Sequence, residues 1–345
     1  MVGNLEWSPA PTQMGEYEMV DSDSTICVTG GCGFIGSNFL RLLATFPMGR
    51  MVILDKLTYA GRLENLDGLH LDKGIFWRAD ISKYGEVDEV FERFRPDFIV
   101  NFAAESHVDR SIAGSTDFIQ SNVVGVQTLL DACLRYGIKR FLQVGTDEVY
   151  GDIPEGHPPA TEADTLRPSS PYSAAKAAAD LLALSYVRTH DLDVVVTRGS
   201  NNYGPCQFPE KLVPLMILNA IEDRPLPVYG DGKQIRDWIH VSDYCNGILQ
   251  VLRKGTKGEV YNLGGGNQTQ NIWIVNCILD ILGKPESLIE HVTDRKGHDV
   301  RYALDTTKAE EELNWTPHMG IDSGLACTVG WYQKNENWWK PLRKG

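Results

Sequence analysis

The feature that most restricts the fold is a glycine-rich turn between an apolar segment and a helical one. The segment Thr25–Thr29 has the composition of a short buried strand, and an apolar helix is predicted from Phe34 to about Phe46. Glycines recur every three residues across this junction, at Gly30, Gly33 and Gly36. Glycine allows a tight turn and a close approach of helix to strand, and the free N–H groups of a helix N-terminus bind phosphate. The pattern predicts a strand–turn–helix unit that binds a dinucleotide pyrophosphate.

An acidic residue stands at the distance from this turn where dinucleotide-binding folds hold a ribose. Met51–Leu54 is predicted as the second strand, and Asp55 follows it, nineteen residues after Gly36. A carboxylate there can bond both hydroxyls of an adenosine ribose and repels a 2′-phosphate, which favours NAD over NADP as the cofactor. Lys56 and Arg62 weaken this preference, because either cation can meet a 2′-phosphate. Chance glycines are the alternative, but strand, helix and acid all stand in the required order.

Strand-like and helical segments alternate along the chain after this unit. The further predicted strands are Ile75–Arg78, Phe98–Asn101, Arg140–Val144 and Val194–Arg198. The predicted helices between them include Glu86–Phe94, Val123–Tyr136 and Ala174–Thr189. This alternation predicts an α/β fold with a Rossmann-type, doubly wound parallel sheet that is covered by helices on both faces.

Composition divides the chain into three parts. Residues 1–24 are acidic and polar, without the basic start and apolar stretch of a secretory signal, and are predicted as a flexible extension. Residues 25–198 are predicted as the NAD-binding domain. From residue 199 to 345 Gly and Pro are frequent and the segments shorten, which predicts a smaller, mainly substrate-binding lobe. Residues 259–263 are strand-like and can rejoin the first sheet.

Charge and cysteine content exclude several classes of function. A net charge of −13 argues against binding to nucleic acid or to an anionic membrane surface. No apolar run approaches the roughly 18 residues that a membrane span needs. The seven cysteines are an odd number with no CxxC pair. We therefore expect no disulfide framework, no metal site and a reducing, cytoplasmic location.

A tyrosine and a lysine one helical turn apart form the first candidate catalytic group. Ser170 can cap a helix with Pro171 in its first position, so Tyr172 and Lys176 lie on one face of the first turns. An ammonium beside a phenol lowers the phenol pKa from ~10 toward neutrality. The phenolate is then a base that removes a proton from a substrate hydroxyl while hydride leaves for the nicotinamide. The same spacing is common on exposed helices, but here it follows a dinucleotide fingerprint.

The second candidate group follows the strand Arg140–Val144. After Gly145 come Thr146, Asp147 and Glu148, at the carboxyl edge of the sheet where α/β folds bind ligands. Thr146 can bond the oxygen that is oxidised. The two carboxylates supply an acid and a base if their surroundings separate their pKa values. An acidic pair alone would indicate only a solvated turn, so the position at the strand end carries the prediction.

These motifs resemble the extended short-chain dehydrogenase/reductase family and, within it, the sugar-nucleotide 4,6-dehydratases. The resemblance covers about residues 25–331 and is carried by residues 29–37, 55–61, 103–111, 146–151, 200–205, 208–211, 236–238 and 294–299, together with Tyr172 and Lys176. The triplet at 146–148 discriminates, because epimerases and decarboxylases of the family usually carry other residues there. Gly145 stands where these dehydratases commonly have serine, and Cys206 where they commonly have an aromatic residue.

The resemblance implies a reaction and a role for each catalytic residue. The substrate would be dTDP-glucose or a close analogue, and bound NAD would oxidise it transiently. Tyr172 would take the proton of the C4 hydroxyl while Thr146 steadies that oxygen. Glu148 would then remove the C5 proton and Asp147 would protonate the departing C6 hydroxyl. The product would be a 4-keto-6-deoxy sugar nucleotide.

The resemblance also implies the binding residues and the assembly. The cofactor residues would be Gly30, Gly33, Phe34, Ile35, Gly36, Asp55, Lys56, Thr58, Asp80, Ile81, Ala103, Tyr172 and Lys176. The residues for the nucleotide-diphosphate sugar would be Ser106, His107, Asn201, Lys211, Arg236, Asn271, Arg295 and His298, with the two arginines on the diphosphate. A homodimer would form through the helix Val123–Tyr136 and the helix after Tyr172. An apolar stripe on such helices is explained equally well by the core of one subunit.

Two other classes of function stay open on the sequence. One is another enzyme of the same fold, a UDP-sugar 4-epimerase or a UDP-glucose 4,6-dehydratase. The other is a non-catalytic NAD-binding sensor, because the fold does not decide function. Analysis of the product separates the enzymes. The presence of Tyr172, Lys176, Asp147 and Glu148 together argues against the sensor.

Overall fold

A seven-stranded parallel sheet forms the centre of the protein. The computed structural model describes residues 23–47, 49–69, 74–295 and 297–343, so the predicted extension lies outside the described residues apart from its last two. In chain order the described strands are β1 (Thr25–Thr29), β2 (Arg50–Asp55), β3 (Gly74–Arg78), β4 (Phe98–Asn101), β5 (Arg140–Thr146), β6 (Val194–Gly199), β7 (Asn201–Tyr203), β8 (Leu226–Tyr229), β9 (Ile235–His240), β10 (Val260–Leu263), β11 (Gln268–Gln270) and β12 (Ile289–Val292).

Helices connect these strands and cover the sheet. The described helices are α1 (Phe34–Leu43), α2 (Tyr84–Phe94), α3 (Val108–Ala113), α4 (Thr116–Ile119), α5 (Gly125–Tyr136), α6 (Pro171–His190), α7 (Leu212–Ile221), α8 (Val241–Lys254), α9 (Asn271–Leu282), α10 (Thr307–Leu313), α11 (Ile321–Lys334) and α12 (Glu336–Trp339). A π-helical turn, Gln120–Val124, joins α4 to α5, and a 3₁₀ turn, Asp147–Tyr150, follows β5.

The strand order confirms the predicted Rossmann-type fold. Across the sheet the strands lie in the order β10, β6, β5, β4, β1, β2, β3, and each neighbouring pair is parallel. The chain runs from β1 out to β3 and then returns to β4 on the other side of β1. The reversal between β1 and β4 is the point where open α/β sheets bind ligands. The strand-like segment near residue 260 forms β10 and pairs with β6, so the C-terminal half of the chain completes this sheet.

Several elements begin or end at other residues than the sequence predicts. Strand β5 continues two residues beyond Val144, because Thr146 still pairs with Gly199 of β6. Helix α6 begins at Pro171, where the Ser170 hydroxyl accepts a 3.1 Å hydrogen bond from the backbone N–H of Ser173. Helix α5 begins two residues later than predicted, after the π-helical turn, and α1 ends at Leu43. The extension of β5 matters most, because it places the first residue of the acidic triplet on the sheet.

The apolar core has two layers against the large sheet and a third in the C-terminal region. Helices α1 and α8 cover one face through side chains such as Leu40 and Ile248. Helices α2, α5 and α6 cover the other face through side chains such as Phe91 and Leu129. The third cluster joins α7, α9 and α11 and is closed by Trp339. These layers hold the carboxyl ends of the strands rigidly beside one another.

Two small sheets complete the C-terminal region. One has the order β11, β9, β7, and the other pairs β12 with β8. Strand β9 carries Arg236 and Asp237, and β7 begins with Asn201. Within the described ranges no helix is long and apolar enough to cross a membrane. In the same residues no group of three or more His, Cys, Asp or Glu side chains is arranged to hold a metal ion.

Candidate active site

The glycine turn after β1 leaves no room for a side chain at Gly30 or Gly36. Gly30 has a φ of +65°, and a Cβ on it would lie 2.6 Å from the backbone nitrogen of Ala103. A Cβ on Gly36 would lie 2.4 Å from the carbonyl oxygen of Gly30. Gly33 is the N-cap of α1 and gives no side-chain cap. The first N–H groups of the helix are therefore open to an external acceptor, as a pyrophosphate site requires.

Asp55 is held in place by two backbone bonds. Its Oδ1 accepts a bond from the N–H of Leu57 at 2.8 Å, and its Oδ2 one from the N–H of Cys32 at 3.0 Å. Burial raises the pKa of this carboxyl, and the two bonds oppose the rise. A Cβ on Gly61 would come within 2.7 Å of Oδ1, so this glycine keeps the carboxylate accessible. The two bonds thereby fix the carboxylate on the wall of the cavity.

The two cations that weakened the preference for NAD are both engaged with the protein. Lys56 donates a 2.8 Å bond to the Ser121 hydroxyl. The Nε of Arg62 lies 3.2 Å from Glu64, and its Nη1 donates to the backbone oxygen of Trp338 at 3.1 Å. Both cations therefore have protein partners, although Lys56 still lies on the cavity wall.

A single cavity joins the predicted cofactor residues. All of them except Asp80 line it, and Ser106 and Lys211 line its other end. Asp80 instead accepts bonds from the backbone N–H and the hydroxyl of Ser82. The glycine turn, the fixed carboxylate of Asp55 and the cavity along the strand ends together fit NAD.

The π-helical turn between α4 and α5 shapes the wall of this cavity. It places Ser121 on the cavity surface, where the hydroxyl receives the bond from Lys56. Asn122, the next residue, accepts from the N–H of Glu105 at 2.9 Å and donates to its carbonyl oxygen at 3.0 Å. π-Helical turns of this kind are frequent at functional sites, and this one ties the loop after β4 to the helix beside it.

Tyr172 and Lys176 lie together at the inner end of the cavity, but their electrostatics differ from the prediction. Burial raises the pKa of Tyr172 well above its usual range, Glu148 adds to the rise, and a hydrogen bond with Thr146 opposes it. Lys176 donates its ammonium to the carbonyl oxygen of Val144 at 2.5 Å. The predicted fall of the phenol pKa toward neutrality was therefore wrong for the protein alone. Desolvation and the carboxylates outweigh the ammonium, which is held on a backbone oxygen.

The acidic pair after Thr146 has two distinct environments. Burial, followed by the charges of Glu148 and Asp237, raises the pKa of Asp147 well above its ordinary value. Glu148 is half-buried; burial raises its pKa too, but three cations oppose the rise, in the order Lys211, Arg236 and Arg295. The charges of Glu148 and Asp237 thus favour the protonated form of Asp147, whereas the three cations favour the charged form of Glu148. This is the separation that an acid and a base side by side need.

The three cations that face Glu148 are each fixed by the protein. Arg236 donates to the backbone oxygens of Ile235 at 2.7 Å and Asp299 at 2.9 Å. Its guanidinium also lies 4.3 Å from the ring centre of Tyr302. Arg295 donates to Asp109 at 2.9 Å, and Lys211 to the carbonyl oxygen of Ser106 at 2.7 Å. Three cations therefore face Glu148 in a protein whose net charge is −13.

The other predicted substrate residues differ in how they are used. Asn201 and Asn271 each have a buried side-chain oxygen without a hydrogen-bond partner among the described residues, so each can receive a ligand donor. His298 pairs with Asp294 at 2.7 Å. The Nδ1 of His107 accepts the N–H of Arg110 and caps α3, which gives this histidine a structural use.

Three residues that contact this site were not singled out by the sequence. Asp109 pairs with Arg295, and its only signal was its place in the 103–111 motif. Asp299 accepts from Tyr302 at 2.5 Å and from Ser169 in a very short bond, and lies near Glu148. Asp299 likewise had only its place in the 294–299 motif, and Tyr302 has no local pattern. Ser169, which bonds Asp299, and Arg236, which stacks on Tyr302, are distant in the chain.

The two positions that differ from related dehydratases lie in packed regions. A Cβ on Gly145 would lie 2.5 Å from the carbonyl oxygen of Thr197 on β6. Cys206 has a φ of +66°, and its side chain is buried in the C-terminal core cluster. Both positions therefore reflect local packing.

Comparison with known proteins places the chain in a family. A family model described as GDP-mannose 4,6 dehydratase matches residues 27–328. A dTDP-glucose 4,6-dehydratase from Actinoplanes sp. is 48% identical over 326 residues, which cover 91% of this chain and 99% of that protein. A dTDP-glucose 4,6-dehydratase from Streptomyces venezuelae, solved with NAD bound, has a TM-score of 0.89 at 47% identity and covers 92% of this chain and 99% of its own.

An epimerase shares the fold at lower identity. The UDP-glucose 4-epimerase of Thermotoga maritima, solved with UDP-glucose, has a TM-score of 0.85 at 28% identity, with 90% of this chain and 99% of that chain covered. The fold is thus common to dehydratases and epimerases, whereas the high identity is to dehydratases. The chain belongs to the dTDP-glucose 4,6-dehydratase family, within the extended short-chain dehydrogenases/reductases.

Proposed function

We propose that this protein converts dTDP-glucose to the 4-keto-6-deoxy sugar nucleotide with NAD held in the cavity along the strand ends. The observation that carries the proposal is the acidic pair Asp147 and Glu148, with separated environments, beside Tyr172 and Thr146. An epimerase has no need of an acid and a base at this place. Residues 25–198 supply the NAD site, and residues 199–345 supply mainly the sugar-nucleotide site.

The first half of the reaction is an oxidation at C4. Tyr172 takes the proton of the C4 hydroxyl, and Thr146, which bonds the phenol, steadies the same oxygen. When bound in the cavity, NAD would supply the hydride acceptor for C4, the later hydride donor to C6 and a positive charge. Lys176, anchored on Val144, holds a further positive charge next to Tyr172.

The second half removes water across C5 and C6. The new C4 ketone acidifies the C5 proton, and Glu148 takes it. Asp147, whose pKa is raised by burial and by the neighbouring carboxylates, is the acid that protonates the C6 hydroxyl, which leaves as water. Hydride would return to C6 as Glu148 returns its proton to C5, which completes the product. Tyr172 then holds one proton more and Asp147 one proton fewer than at the start. The Thr146 hydroxyl, 3.3 Å from Asp147, lies between them and can pass that proton back.

Arg236 and Arg295 bind the substrate diphosphate. We predict that Arg236→Ala weakens dTDP-glucose binding by about 1.5–3 kcal/mol, the range for a charged hydrogen bond. The affinity for NAD should stay unchanged, because Arg236 does not line the cofactor cavity. Calorimetric titration of both ligands measures this. An unchanged substrate affinity would remove Arg236 from the site.

Asp55 sets the choice of cofactor. We predict that NAD binds at least tenfold more tightly than NADP, a difference of about 1.4 kcal/mol, because the fixed carboxylate repels a 2′-phosphate. Some NAD should also co-purify with the protein. Fluorescence titration of both cofactors tests this, and equal affinities would defeat the role given to Asp55.

One experiment tests the function itself. The purified protein is incubated separately with dTDP-glucose and UDP-glucose, and each product is identified by mass. We expect loss of one water from dTDP-glucose. A product of unchanged mass with inverted C4 would favour an epimerase, and preference for UDP-glucose would move the proposal to that substrate.

We further propose that the protein is a cytoplasmic homodimer. All seven cysteines are free thiols, which suits a reducing compartment. The adjoining helices α3, α4 and α6 expose the apolar side chains of Ile112, Ile119 and Leu181, the last at 59%. Apolar side chains exposed on adjoining helices are available to an interface with a second subunit. Sedimentation equilibrium tests the assembly, and a purely monomeric species would contradict it.

A further inference from the structure

The buried ion pair of Asp180 with Arg198 lies outside the cofactor cavity, and the mechanism proposed above does not use it. We propose that Asp180, paired with Arg198, is a positioning residue that holds the Lys176 ammonium charged and oriented beside Tyr172. The inference rests on the proposed function, which gives Lys176 its role. It adds a residue outside the cofactor cavity to the machinery of the same reaction.

Asp180 is a fully buried carboxylate with spare bonding capacity. It lies one helical turn after Lys176 on α6 and has no solvent exposure. Arg198 of β6 donates from Nε to its Oδ2 at 3.0 Å. Its Oδ1 has no hydrogen-bond partner among the described residues. A buried ion pair seldom adds net stability, because the cost of desolvation offsets the attraction between its charges. The presence of this pair therefore indicates a role other than stabilising the fold.

Lys176 and Asp180 contact adjacent residues of β5. Lys176 donates to the carbonyl oxygen of Val144 at 2.5 Å. The next residue, Gly145, packs directly on the Asp180 carboxylate, since a Cβ there would lie 3.2 and 3.3 Å from its two oxygens. The carboxylate and the ammonium are therefore neighbours across one short stretch of strand.

The same ion pair reaches the turn that carries the acid and the base. Arg198 donates from Nη1 to the Tyr150 hydroxyl at 2.9 Å, and Tyr150 donates to Asn262 of β10 at 2.8 Å. Tyr150 is the last residue of the 3₁₀ turn that begins with Asp147. One buried network thus connects the helix of Lys176 with the acidic turn. A change in Asp180 is expected to act on the reaction through these neighbours and not through contact with substrate.

The charges around Asp180 and Lys176 determine in which direction the loss of Asp180 shifts the pKa of Lys176. Burial lowers the pKa of Lys176 to about 8, and the carboxylate of Asp180 opposes this fall. Burial raises the pKa of Asp180, and Arg198 and Lys176 oppose that rise. The titratable and charged groups that face Asp180 and Lys176 come from four elements. Strand β6 supplies Arg198, the turn after β5 supplies Asp147, Glu148 and Tyr150, α8 supplies Tyr244, and α6 itself supplies Tyr172. Without the Asp180 carboxylate, the lowering of the Lys176 pKa by burial is no longer opposed by that charge, so Lys176 loses its proton at a lower pH.

The test is the pH dependence of the oxidation step in Asp180→Asn. In the wild-type protein the rate of nicotinamide reduction after mixing with dTDP-glucose should fall as the pH rises through about 8. In the variant this alkaline limb should move to lower pH by about 1 unit, the lower end of the effect of a neighbouring charge. KM and the affinity for NAD should change little, because Asp180 does not line the cavity.

A matched control and a second variant keep the result decisive. Asp193 pairs with Arg140, another buried arginine of the same sheet, at 3.0 Å and away from Lys176. Asp193→Asn should leave the alkaline limb in place. If Asp180→Asn does not fold, the double variant Asp180→Asn with Arg198→Gln removes both buried charges and should show the same shift.

A readout without turnover separates this inference from the proposed function. The titration of the Lys176 amine is followed by ¹⁵N NMR in lysine-labelled full-length protein. Its midpoint should lie at a lower pH in Asp180→Asn than in the wild-type protein. Unchanged titration and an unchanged limb in a folded variant would overturn the inference, as would equal shifts in the Asp193 control. Absence of the dehydrated product from wild-type protein would instead overturn the proposed function and leave the titration interpretable.

Discussion

The variant Glu148→Gln is expected to oxidise its substrate but to turn over roughly 10²–10⁴ times more slowly than the wild-type protein. The amide keeps the shape of the side chain but accepts no proton at neutral pH, so the C5 proton stays in place. The oxidation at C4 depends on Tyr172 and Thr146 and should survive. Stopped-flow absorbance of the reduced nicotinamide measures the first step, and mass analysis measures the product.

Two further measurements make this prediction specific. In deuterated solvent the wild-type protein should introduce deuterium at C5, and Glu148→Gln should not do so at the normal rate. Tyr172→Phe, which removes only the phenol oxygen, should abolish the absorbance change itself. Normal turnover by Glu148→Gln, or release of a C4 epimer at full rate, would show that Glu148 is not the base and would favour the epimerase.

The variant Gly36→Ala is expected to lose most of its affinity for NAD and part of its stability. Its Cβ would lie 2.4 Å from the carbonyl oxygen of Gly30 and 2.9 Å from the Cα of Gly31, both backbone atoms that cannot rotate away. The N-terminus of α1 must then move from the turn, at a cost of about 1–3 kcal/mol from overpacking. The same displacement takes the helix N–H groups away from the pyrophosphate. We expect the Kd for NAD to rise by about tenfold to a hundredfold, 1.4 kcal/mol for each factor of ten.

Gly85→Ala is the matched control for this variant. Gly85 is exposed near the start of α2, and a Cβ there would meet no atom within 4 Å. Replacing a helical glycine should raise the free energy of unfolding by up to about 1 kcal/mol and leave NAD binding unchanged. Urea denaturation and NAD titration of both variants distinguish the two sites. Tight NAD binding by Gly36→Ala would show that the turn does not hold the pyrophosphate as described.

The outline of the fold could be predicted because its signals are local. The spacing of Gly30, Gly33 and Gly36 needs only the backbone geometry of one turn, and Asp55 needs only its place at a strand end. The boundaries were less well predicted where a partner strand decides them. Strand β5 extends to Thr146 because Gly199 of β6 pairs with it, and no pattern near residue 146 reports that pairing.

The candidate site was predictable in its residue types and in part of its geometry. The acidic pair and the Tyr172–Lys176 pair lie together at the strand ends, as the order of the motifs indicated. The pKa of Tyr172 was predicted in the wrong direction. That pKa depends on how deeply the phenol is buried and on which carboxylates face it, and both follow from the packing of separate segments.

The sequence by itself determined the class of the sheet, the unit that holds the dinucleotide and the chemical groups at the strand ends. These depend on residues a few positions apart, for which backbone sterics and helical spacing are sufficient. Only the tertiary structure decided how those groups are charged and held. The pairing of Arg295 with Asp109 joins residues 186 positions apart, and the burial of Asp180 against Gly145 and Arg198 depends on the packing of a helix on two strands. Desolvation and Coulomb interactions act through space, so they become defined only when distant segments of the chain come together.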